Sequence, residues 1–423
     1  MIPWADLQNV GCGECVVLGG QDSMLMVDCG SLNTILPGTE RSFKEFVTQS
    51  LTAHYCSVPH RAFLLSHFHR DHSCGLWDIL KSQPDYFEEI FLPCSPCDGR
   101  GLPLLLEFAL FAHVFLPRQG YCGQVSTGAL KAFSRVLDPA QTCRAYALGQ
   151  GDSFRNGGIR YECVWPPRDG FPFDRAFTDV VEALHRCAQA PQPGEDLLRQ
   201  FLDLLYAFCN SYLAMCESFP VQRADADRTR DVLEQIDGLA PLLQRLPAAE
   251  ELRGLLEDRT ARELYSRQTN AASLMVQSSS GGSGGVLMTG DATPEALAAA
   301  EPLLYHDYYL LKAPHHGLPG SLSPTVAGLA AAHILISCGE RIPGWRADAG
   351  WAALPGRKHC TASTCAFFPG GGCCSRTALC WDFGGLALRC PGNRGGEPPC
   401  GIRVAGAGGL GCICDAGRRK LWE

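Results

Sequence analysis

The amino-acid sequence predicts an α/β fold that carries a helical insertion and ends in a Cys/Gly-rich C-terminal extension. Short apolar runs bounded by Gly, Asp and Asn, which are typical of buried strands, occur in residues 1–168 and 268–340. Residues 169–267 instead place apolar side chains at helical spacing. From residue 341 to residue 423 the composition shifts to Gly, Cys and Pro. We therefore expect two halves of one domain, separated by the insertion and followed by the extension.

The first half opens with a predicted β-hairpin. Apolar runs at 16–18 and 24–27 flank the turn sequence Gly19-Gly20-Gln21-Asp22. Further elements follow in the order helix, strand, strand, helix and a pair of strands, at residues 42–54, 62–65, 89–92, 104–115 and 148–166.

The insertion contains two long amphipathic patterns. Apolar residues fit one helix face between Leu197 and Tyr212 and another between Val232 and Leu243. Residues 170–268 hold 17 acidic and 11 basic side chains, so −6 of the net charge of −8 belongs to this helical region.

Strand-like sequence resumes in the second half, at 272–276 and 286–291. A helix is predicted at 294–304 and a strand at 308–311. That last strand runs into a polar segment with two adjacent imidazoles, Lys312-Ala313-Pro314-His315-His316-Gly317.

Composition excludes several protein classes. With 423 residues, 46% hydrophobic and 19% charged, the chain is globular rather than disordered or fibrous. The longest apolar stretch, 102–117, is too short for a membrane span, and the N-terminal residues lack the features of a secretory signal. We therefore expect a cytoplasmic protein without a membrane partner. The net negative charge argues against a broad cationic surface that binds nucleic acid. Most of that charge lies in the helical insertion, however, so it is a weak argument about the rest of the chain.

The sequence His67-Phe68-His69-Arg70-Asp71-His72 is the strongest chemical signal. Side chains at i and i+2 share a face, so His67 and His69 can address one cation at a strand end, with Asp71 and His72 on the following turn. Imidazole and carboxylate suit zinc, manganese or iron. The alternative is a polar surface loop that contains three histidines by coincidence.

This histidine motif, placed after a hairpin that ends in Asp28-Cys29-Gly30, resembles the metallo-β-lactamase superfamily. Four further segments occur in the order found in the hydrolase domain of ComEC-type DNA-uptake proteins, which they resemble: Asn9-Val10-Gly11-Cys12-Gly13-Glu14, Asn270-Ala271-Ala272-Ser273-Leu274, Leu287-Met288-Thr289-Gly290-Asp291-Ala292 and Leu311-Lys312-Ala313-Pro314-His315-His316-Gly317. The resemblance covers residues 5–168 and 268–340. It implies an αββα sandwich with metals at the sheet edge, where the insertion partly covers the cleft.

The resemblance also implies a role for each matching residue. Two divalent ions, zinc or manganese, would be held by His67 and His69 at the first site, by Asp71 and His72 at the second, and by Asp291 bridging both. Of His315 and His316, one would complete the second site and the other would protonate the leaving group, and the sequence does not order them. Asn270 and Lys312 would contact the metal ligands without binding the metal themselves, or would contribute only to the stability of the fold.

One feature departs from the superfamily pattern. Many members place a third histidine of the first site at a strand end, which here reads Cys163-Val164-Trp165-Pro166-Pro167. Water, substrate, His113 or His185 are the candidates to complete that site. We therefore expect the two metal sites to be unequally occupied.

The 23 cysteines offer a second possible metal centre. Cys94 and Cys97 have knuckle spacing but no evident partner pair, and nine cysteines lie between Cys360 and Cys414. The C-terminal cluster could build a structural zinc site, or consist of scattered free thiols. From Arg357 onward the sequence contains nine basic and four acidic residues. The extension is therefore slightly cationic and could line a groove for an anionic substrate.

The resemblance implies a metal-dependent hydrolase, in which two cations share a water and lower its pKa for attack. We expect a phosphodiester or another phosphate-containing substrate, either an anionic small molecule or a nucleic acid. Two alternatives stay open: a thioester or ester hydrolase of the same fold, and a metal-binding regulatory protein whose insertion recruits a protein partner. The sequence leaves the oligomeric state open.

Overall fold

The computed structural model describes residues 4–20, 22–36, 40–116, 125–138, 140–278, 285–339 and 346–361, and the backbone of two strands at 401–405 and 410–412. The strands are β1 (Trp4–Gln8), β2 (Val16–Gly19), β3 (Ser23–Val27), β4 (His60–Leu64), β5 (Glu89–Pro93), β6 (Arg144–Leu148), β7 (Ser153–Asn156), β8 (Ile159–Trp165), β9 (Met275–Ser278), β10 (Val286–Met288), β11 (Asp307–Lys312), β12 (Ala330–Ile336), β13 (Arg357–Cys360), β14 (Gly401–Ala405) and β15 (Leu410–Cys412). The α-helices are α1 (Phe43–Glu45), α2 (Thr52–His54), α3 (Arg70–Ser82), α4 (Leu104–Phe115), α5 (Gly128–Val136), α6 (Arg175–Gln189), α7 (Glu195–Glu217), α8 (Arg223–Leu243), α9 (Ala248–Glu257), α10 (Arg259–Ala271), α11 (Pro294–Ala300) and α12 (Pro324–Ala327). A π-helical segment (Phe46–Leu51) joins α1 to α2, and 3₁₀ turns lie at Glu301–Leu303, Pro314–Gly317 and Ala349–Ala353.

The strands form two sheets. The first sheet has the order β15-β14-β1-β2-β3-β4-β5-β6, and the second has the order β13-β12-β11-β10-β9-β8-β7. The predicted hairpin is the antiparallel pair β2–β3, whereas β3 to β6 run parallel. In the second sheet, β10 to β13 also run parallel. Parallel neighbouring strands end at the same edge of a sheet. The loops after β3 and β4 therefore lie together at one edge of the first sheet, and the loops after β10 and β11 lie together at one edge of the second.

Alternating side chains give the first sheet two apolar faces. On β3, Met24 and Met26 pack in one core with the helices, whereas Leu25 and Val27 pack in another core with the second sheet. The far side of the second sheet is covered by α11 and α12, whose Leu297 and Val326 are fully buried. The layers are therefore helices, sheet, sheet and helices, and the predicted α/β class is confirmed. The predicted domain boundaries stay a prediction.

Helix starts follow local sequence signals. Ser42 and Glu45 form a reciprocal capping box at α1, in which the Ser42 hydroxyl accepts from the Glu45 amide and the Glu45 carboxylate accepts from the Ser42 amide. Asp258 caps α10 by accepting a hydrogen bond from the Ala261 amide. Such caps satisfy amides that have no partner within the helix.

Helices α6 to α10 occupy the region between β8 and β9 where the sequence predicts helices. Their aromatic side chains pack on α4: the Phe201 ring lies 5.2 Å from Phe111 and 5.6 Å from Phe115, centroid to centroid, and Tyr265 stacks on Phe108 at 4.7 Å. The inserted helices thus share one core with the first half of the chain. No helix in the described part of the chain is long and apolar enough to span a membrane.

Candidate metal centre

The loops that follow β3, β4, β10 and β11 gather polar side chains at one edge of the sandwich. The predicted residues His67, His69, Asp71, His72, Asp291, His315 and His316 all contribute to this cluster. Four members form a buried centre, since His67, His72, Asp291 and His316 are each at most 2% exposed. Buried charged and imidazole groups in this number require partners or a ligand.

Four buried residues place potential ligand atoms close together. Glu14, His72, Asp291 and His316 each offer an atom, and these atoms lie within 4.8 Å of one another. The His72 Nε2 atom is 3.2 Å from His316 Nε2 and 3.2 Å from Asp291 Oδ1. Asp71, in the first turn of α3, adds its Oδ2 at 3.4 Å from His316 Nε2.

Hydrogen bonds fix which nitrogen of each imidazole carries a proton. His72 Nδ1 donates to the Asp28 carboxylate at 2.8 Å, and His316 Nδ1 donates to the Ser337 carbonyl at 3.1 Å. When the rings are neutral, both Nε2 atoms therefore carry no proton. They face each other and the carboxylate oxygens of Asp71 and Asp291. Electron-pair donors gathered this way repel one another unless a cation or a proton lies between them. The donor set thus fits a divalent cation.

The electrostatics of the cluster agree with this geometry. Burial lowers the pKa of His72, but Asp291 and Asp28 outweigh it and hold that pKa well above its ordinary value. Burial also opposes ionisation of Asp291, yet His72 and His316 hold the pKa of that carboxyl well below its usual range. The negative potential that attracts a proton to His72 equally attracts a metal ion.

Asp291 lies at the centre of the cluster. Its Oδ2 atom is 3.6 Å from His316 Nε2, 3.8 Å from His315 Nε2 and 3.9 Å from His67 Nε2. Asp291 follows Gly290, whose φ of +51° belongs to the left-handed region that favours glycine. A Cβ at Gly290 would lie 2.7 Å from Ser66 Cβ, so both backbone angle and space require glycine.

His67 and His69 form a smaller group beside Asp291. His67 Nε2 lies 3.0 Å from His69 Nδ1, while His67 Nδ1 faces the Ser66 and Ser273 hydroxyls at 3.0 and 3.3 Å. Burial, assisted by neighbouring imidazoles, holds the pKa of His67 well below its ordinary value, and burial lowers that of His69. Both rings are therefore neutral near pH 7, the form that binds metals.

Asp28 was not among the residues selected from the sequence, but it organises the cluster. Its carboxylate accepts three hydrogen bonds, from the Ser66 amide and hydroxyl, both at 2.7 Å, and from His72. Since the Ser66 hydroxyl donates to Asp28, it accepts from His67 and fixes that tautomer as well. Asp28 has a positive φ of 55°, which is uncommon for a residue other than glycine. The available signal was an acidic residue directly after the apolar run 24–27.

Glu14 is the second residue that the sequence reasoning missed as a functional group. Lys312 Nζ lies 2.6 Å from Glu14 Oε2, and both side chains are buried. Burial raises the pKa of Glu14, and the charge of Lys312 opposes that rise. Glu14 Oε2 is 3.6 Å from His316 Nδ1, the ring edge opposite to the bare Nε2. Lys312 therefore reaches the cluster through Glu14, which the sequence marks only as a carboxylate beside a Gly-rich turn.

The structure distinguishes the two adjacent histidines. Both have positive φ, 47° for His315 and 57° for His316, and both reach Asp291 Oδ2, at 3.8 and 3.6 Å, but they differ in burial. His316 is fully buried among His72, Asp71 and Asp291, whereas the His315 side chain is 43% exposed. Asn270 Nδ2 lies 3.5 Å from His315 Nε2, which places Asn270 beside the exposed ring. Burial lowers the pKa of His315.

Two candidates for completing the first site are corrected by the structure. His113 Nε2 pairs with Asp237 at 2.6 Å, and His185 Nε2 pairs with Glu107 at 2.9 Å. Both pairs join helices of the helical layer, so each imidazole serves helix packing rather than the cluster at the sheet edge.

The cysteine signals do not add a second centre within the described residues. Burial raises the pKa of Cys94 to about 11 and that of Cys97 to about 12, which opposes the thiolate form that binds zinc. Neither belongs to a group of three potential ligands in the described ranges. The side chains of the C-terminal cysteines beyond Cys360 lie outside the described residues, and the zinc site suggested for them stays a prediction.

Comparisons with known proteins return distant likenesses. No protein-family model and no curated protein matches the sequence. A protein of unknown function from Enterococcus faecalis V583 aligns over 73% of this chain and 49% of its own, with 11% identity and a TM-score of 0.27. The metallo-beta-lactamase SMB-1, bound to 2-mercaptoethanesulfonate, aligns over 57% of this chain and 96% of its own, with 14% identity and a TM-score of 0.22. The chain thus spans about half the length of the first structure, and TM-scores this low do not establish a shared fold.

Proposed function

We propose that this protein is a metal-dependent hydrolase of the metallo-β-lactamase superfamily, with its active site at the His/Asp cluster. The observation that carries the proposal is the pair of imidazole Nε2 atoms of His72 and His316, which lie 3.2 Å apart and are faced by carboxylate oxygens of Asp71 and Asp291. The order of the motifs along the chain and the layered α/β architecture support the same proposal. A surface loop with coincidental histidines would not bury these groups or fix their tautomers.

The ligand set divides into two unequal groups. Asp71, His72, Asp291 and His316 would hold one divalent ion, while His67, His69 and a shared Asp291 oxygen would hold a second more weakly. Zinc and manganese both suit these donors. A divalent cation supplies Lewis acidity and an activated water at neutral pH.

The remaining residues hold this arrangement or move protons. Asp28 fixes the tautomers of His72 directly and of His67 through Ser66. Glu14 and Lys312 form a buried ion pair behind His316. His315 is half-exposed beside Asn270, so it is the proton donor to the leaving group in this proposal.

Two substrate classes compete for this site. The motifs that resemble the ComEC-type branch support a phosphodiester or another phosphate-containing substrate. A specific feature of the structure favours a carboxyl ester or thioester: an apolar cavity adjoins His67. Hydrolysis at a metal centre is common to both.

The test combines metal content with turnover. Full-length protein loaded with Zn²⁺ or Mn²⁺ is assayed on bis-p-nitrophenyl phosphate, on single- and double-stranded DNA, and on a panel of esters and thioesters. We expect bound metal and turnover of one class, both lost in His316→Ala and Asp291→Asn but retained in the matched control His306→Ala, since His306 is exposed. Wild-type protein without bound divalent metal and without turnover would refute the proposal.

A further inference from the structure

One face of helix α10 lies along the candidate metal centre. Ser266 Oγ is 3.4 Å from His69 Nε2. One turn later, Asn270 Nδ2 is 3.5 Å from His315 Nε2. Arg262 precedes Ser266 by one turn, so it lies on the same face of α10, about 6 Å farther along the helix axis. Arg262, Ser266 and Asn270 therefore form one polar row, which leads from the metal centre towards the N-terminus of α10.

Arg262 lacks a partner within the described part of the chain. Its Nε atom is inaccessible to solvent and donates no hydrogen bond, and its guanidinium forms no ion pair there. The neighbouring arginines of the same helix are paired, since Arg259 Nε lies 2.7 Å from Glu263 Oε1 and Arg267 Nη2 lies 3.0 Å from Glu295 Oε1. Helix α10 thus pairs these two exposed arginines and leaves the half-buried one open.

A half-buried guanidinium needs an acceptor. It keeps its charge at every physiological pH, and a charged donor withdrawn from water without an acceptor costs more free energy than a neutral one. Its planar fork of N–H groups matches the two oxygens of a carboxylate or a phosphate. Because the polar row begins at the candidate metal ligands and ends at Arg262, a molecule bound at the metal centre can supply those oxygens.

We propose that Arg262 binds an anionic group, a carboxylate or a phosphate, which the substrate carries at a distance from the bond that is cleaved. This inference rests on the proposed hydrolase function, because it assumes that the reacting bond lies at the metal centre. Side chains on a helix lean towards its N-terminus, so the anionic group lies beyond Ser266, roughly 10 Å from the reacting bond.

Arg262 is in this proposal a residue that determines specificity, not one that breaks a bond. It belongs to the inserted helices, outside the segments that resemble the ComEC-type hydrolase domain, so that resemblance implies nothing about it. Ser266 and Asn270 contact imidazoles of the cluster, whereas Arg262 holds the far end of the substrate. Loss of Arg262 should therefore raise KM more than it lowers kcat.

The experiment compares matched substrates in the metal-loaded, full-length protein. In an ester arm, the p-nitrophenyl half-esters of succinate, adipate and suberate are each compared with the uncharged methyl ester of the same compound. In a phosphodiester arm, a thymidine dinucleotide is compared with the same dinucleotide carrying a terminal phosphate. The variants are Arg262→Gln and Arg262→Lys, and Arg267→Gln on the exposed face of α10 is the matched control.

Binding is measured in parallel by titration calorimetry, so that affinity is read without turnover. Adipate is compared with hexanoate, which has the same length and one carboxylate fewer. Thymidine 3′,5′-bisphosphate is compared with thymidine 5′-monophosphate in the same way.

We expect wild type and Arg267→Gln to favour the charged member of one arm about tenfold or more, in KM and in affinity. Arg262→Gln should remove this preference, and Arg262→Lys should keep part of it, because lysine retains the charge but not the fork. A preference in the ester arm identifies a carboxylate and should grow from succinate to the longer compounds. A preference in the phosphodiester arm identifies a phosphate.

Two results would overturn the inference and leave the hydrolase proposal standing. One is turnover without preference for the charged member in either arm, and the other is a preference that persists in Arg262→Gln. Absence of bound metal and of all turnover would instead refute the proposed function itself.

Discussion

At the scale of single residues, Asp28 determines how the cluster is arranged. It accepts three hydrogen bonds in a left-handed backbone conformation, and through them it orients His72 and, by way of Ser66, His67. Metal-binding histidines commonly depend on such a carboxylate for ring orientation and basicity. Asp28 itself need not touch the metal to control its affinity.

Replacing Asp28 by asparagine should therefore weaken metal binding without removing a ligand. Asp28→Asn keeps the size of the side chain but loses the charge that supports His72, and we expect metal affinity to fall about 10- to 100-fold. Competition with a chromogenic chelator measures this, with Asp307→Asn at the exposed start of β11 as the control. Equal affinities in Asp28→Asn and wild type would remove Asp28 from the site.

A second residue-scale prediction concerns His333, away from the cluster. Burial, assisted by Arg357, lowers the pKa of His333 to about 4, and its Nδ1 lies 2.8 Å from His359 Nε2. The unfolded chain has a histidine pKa of about 6.5, so between pH 6.5 and 4 it binds more protons than the folded protein. The free energy of unfolding should fall as the pH is lowered through this window, by about 1–3 kcal/mol for His333 alone.

Urea unfolding at pH 7 and pH 5 tests this dependence. The loss of stability between the two pH values should be smaller in His333→Leu than in wild type, since leucine does not titrate. Titrations of groups that do not touch His333 cancel in the comparison, whereas His359, which contacts His333, contributes to the difference. An identical loss in both proteins would show that His333 does not stay neutral in the folded state.

At this scale the sequence predicted the cluster well but not its support. His67, His69, Asp71 and His72 were recognisable because they follow an apolar strand at metal-ligand spacing. Asp291, His315 and His316 were implied by the resemblance of their motifs, and the structure brings all seven side chains together. Asp28 and Glu14 were missed as functional groups since each is a single carboxylate without local pattern. Their importance arises from contacts with Ser66, His72 and Lys312, which are distant in sequence. The order of His315 and His316 likewise depends on which of the two rings is buried, which no spacing reveals.

At the scale of elements, the site depends on close contact between the loop after β3 and the first turn of α3. Glu14 N donates to the Asp71 carbonyl at 2.9 Å, and Gly30 N donates to the Glu14 carbonyl at 2.9 Å. A Cβ at Gly30 would lie 2.3 Å from the Asp71 carbonyl carbon and 2.4 Å from the His72 nitrogen. Only glycine leaves room for the turn that carries both ligands.

Gly30→Ala should therefore displace the first turn of α3, reducing stability by about 1–3 kcal/mol and metal affinity with it. Gly238→Ala is the matched control, because a Cβ there meets nothing within 4 Å and α8 should gain up to about 1 kcal/mol of helix stability. Thermal unfolding and metal titration of both variants measure these effects. A Gly30→Ala protein as stable and as metal-competent as wild type would contradict the tight contact.

At the scale of the whole molecule, the inserted helices are part of the main core rather than an appended unit. Helical periodicity predicted that α7 and α8 exist and which faces are apolar. It could not predict that Phe201 packs on Phe111 and Phe115, since periodicity defines a face but not its partner. The cavity beside His67 was unpredictable for the same reason, because its walls come from elements far apart in the chain.

Removing the metal should destabilise the folded protein as a whole. A ligand that binds only the folded state adds about 2.7–4.1 kcal/mol at 100- to 1,000-fold excess over its Kd. We therefore expect EDTA to lower the Tm of wild type, and added Zn²⁺ or Mn²⁺ to restore it. Asp291→Asn should show little response to either reagent, and an equal response in that variant would place the stabilising metal elsewhere.

The central claim is that His72, His316, Asp71 and Asp291 share one divalent cation. Anomalous diffraction from crystals of the metal-loaded protein, recorded on both sides of the absorption edge of that metal, tests it most directly. We predict a strong anomalous peak between the two Nε2 atoms and the two carboxylates, with a second, weaker peak beside His67 and His69. Crystals that show no peak at the first position, although metal is present in the solution, would contradict the claim.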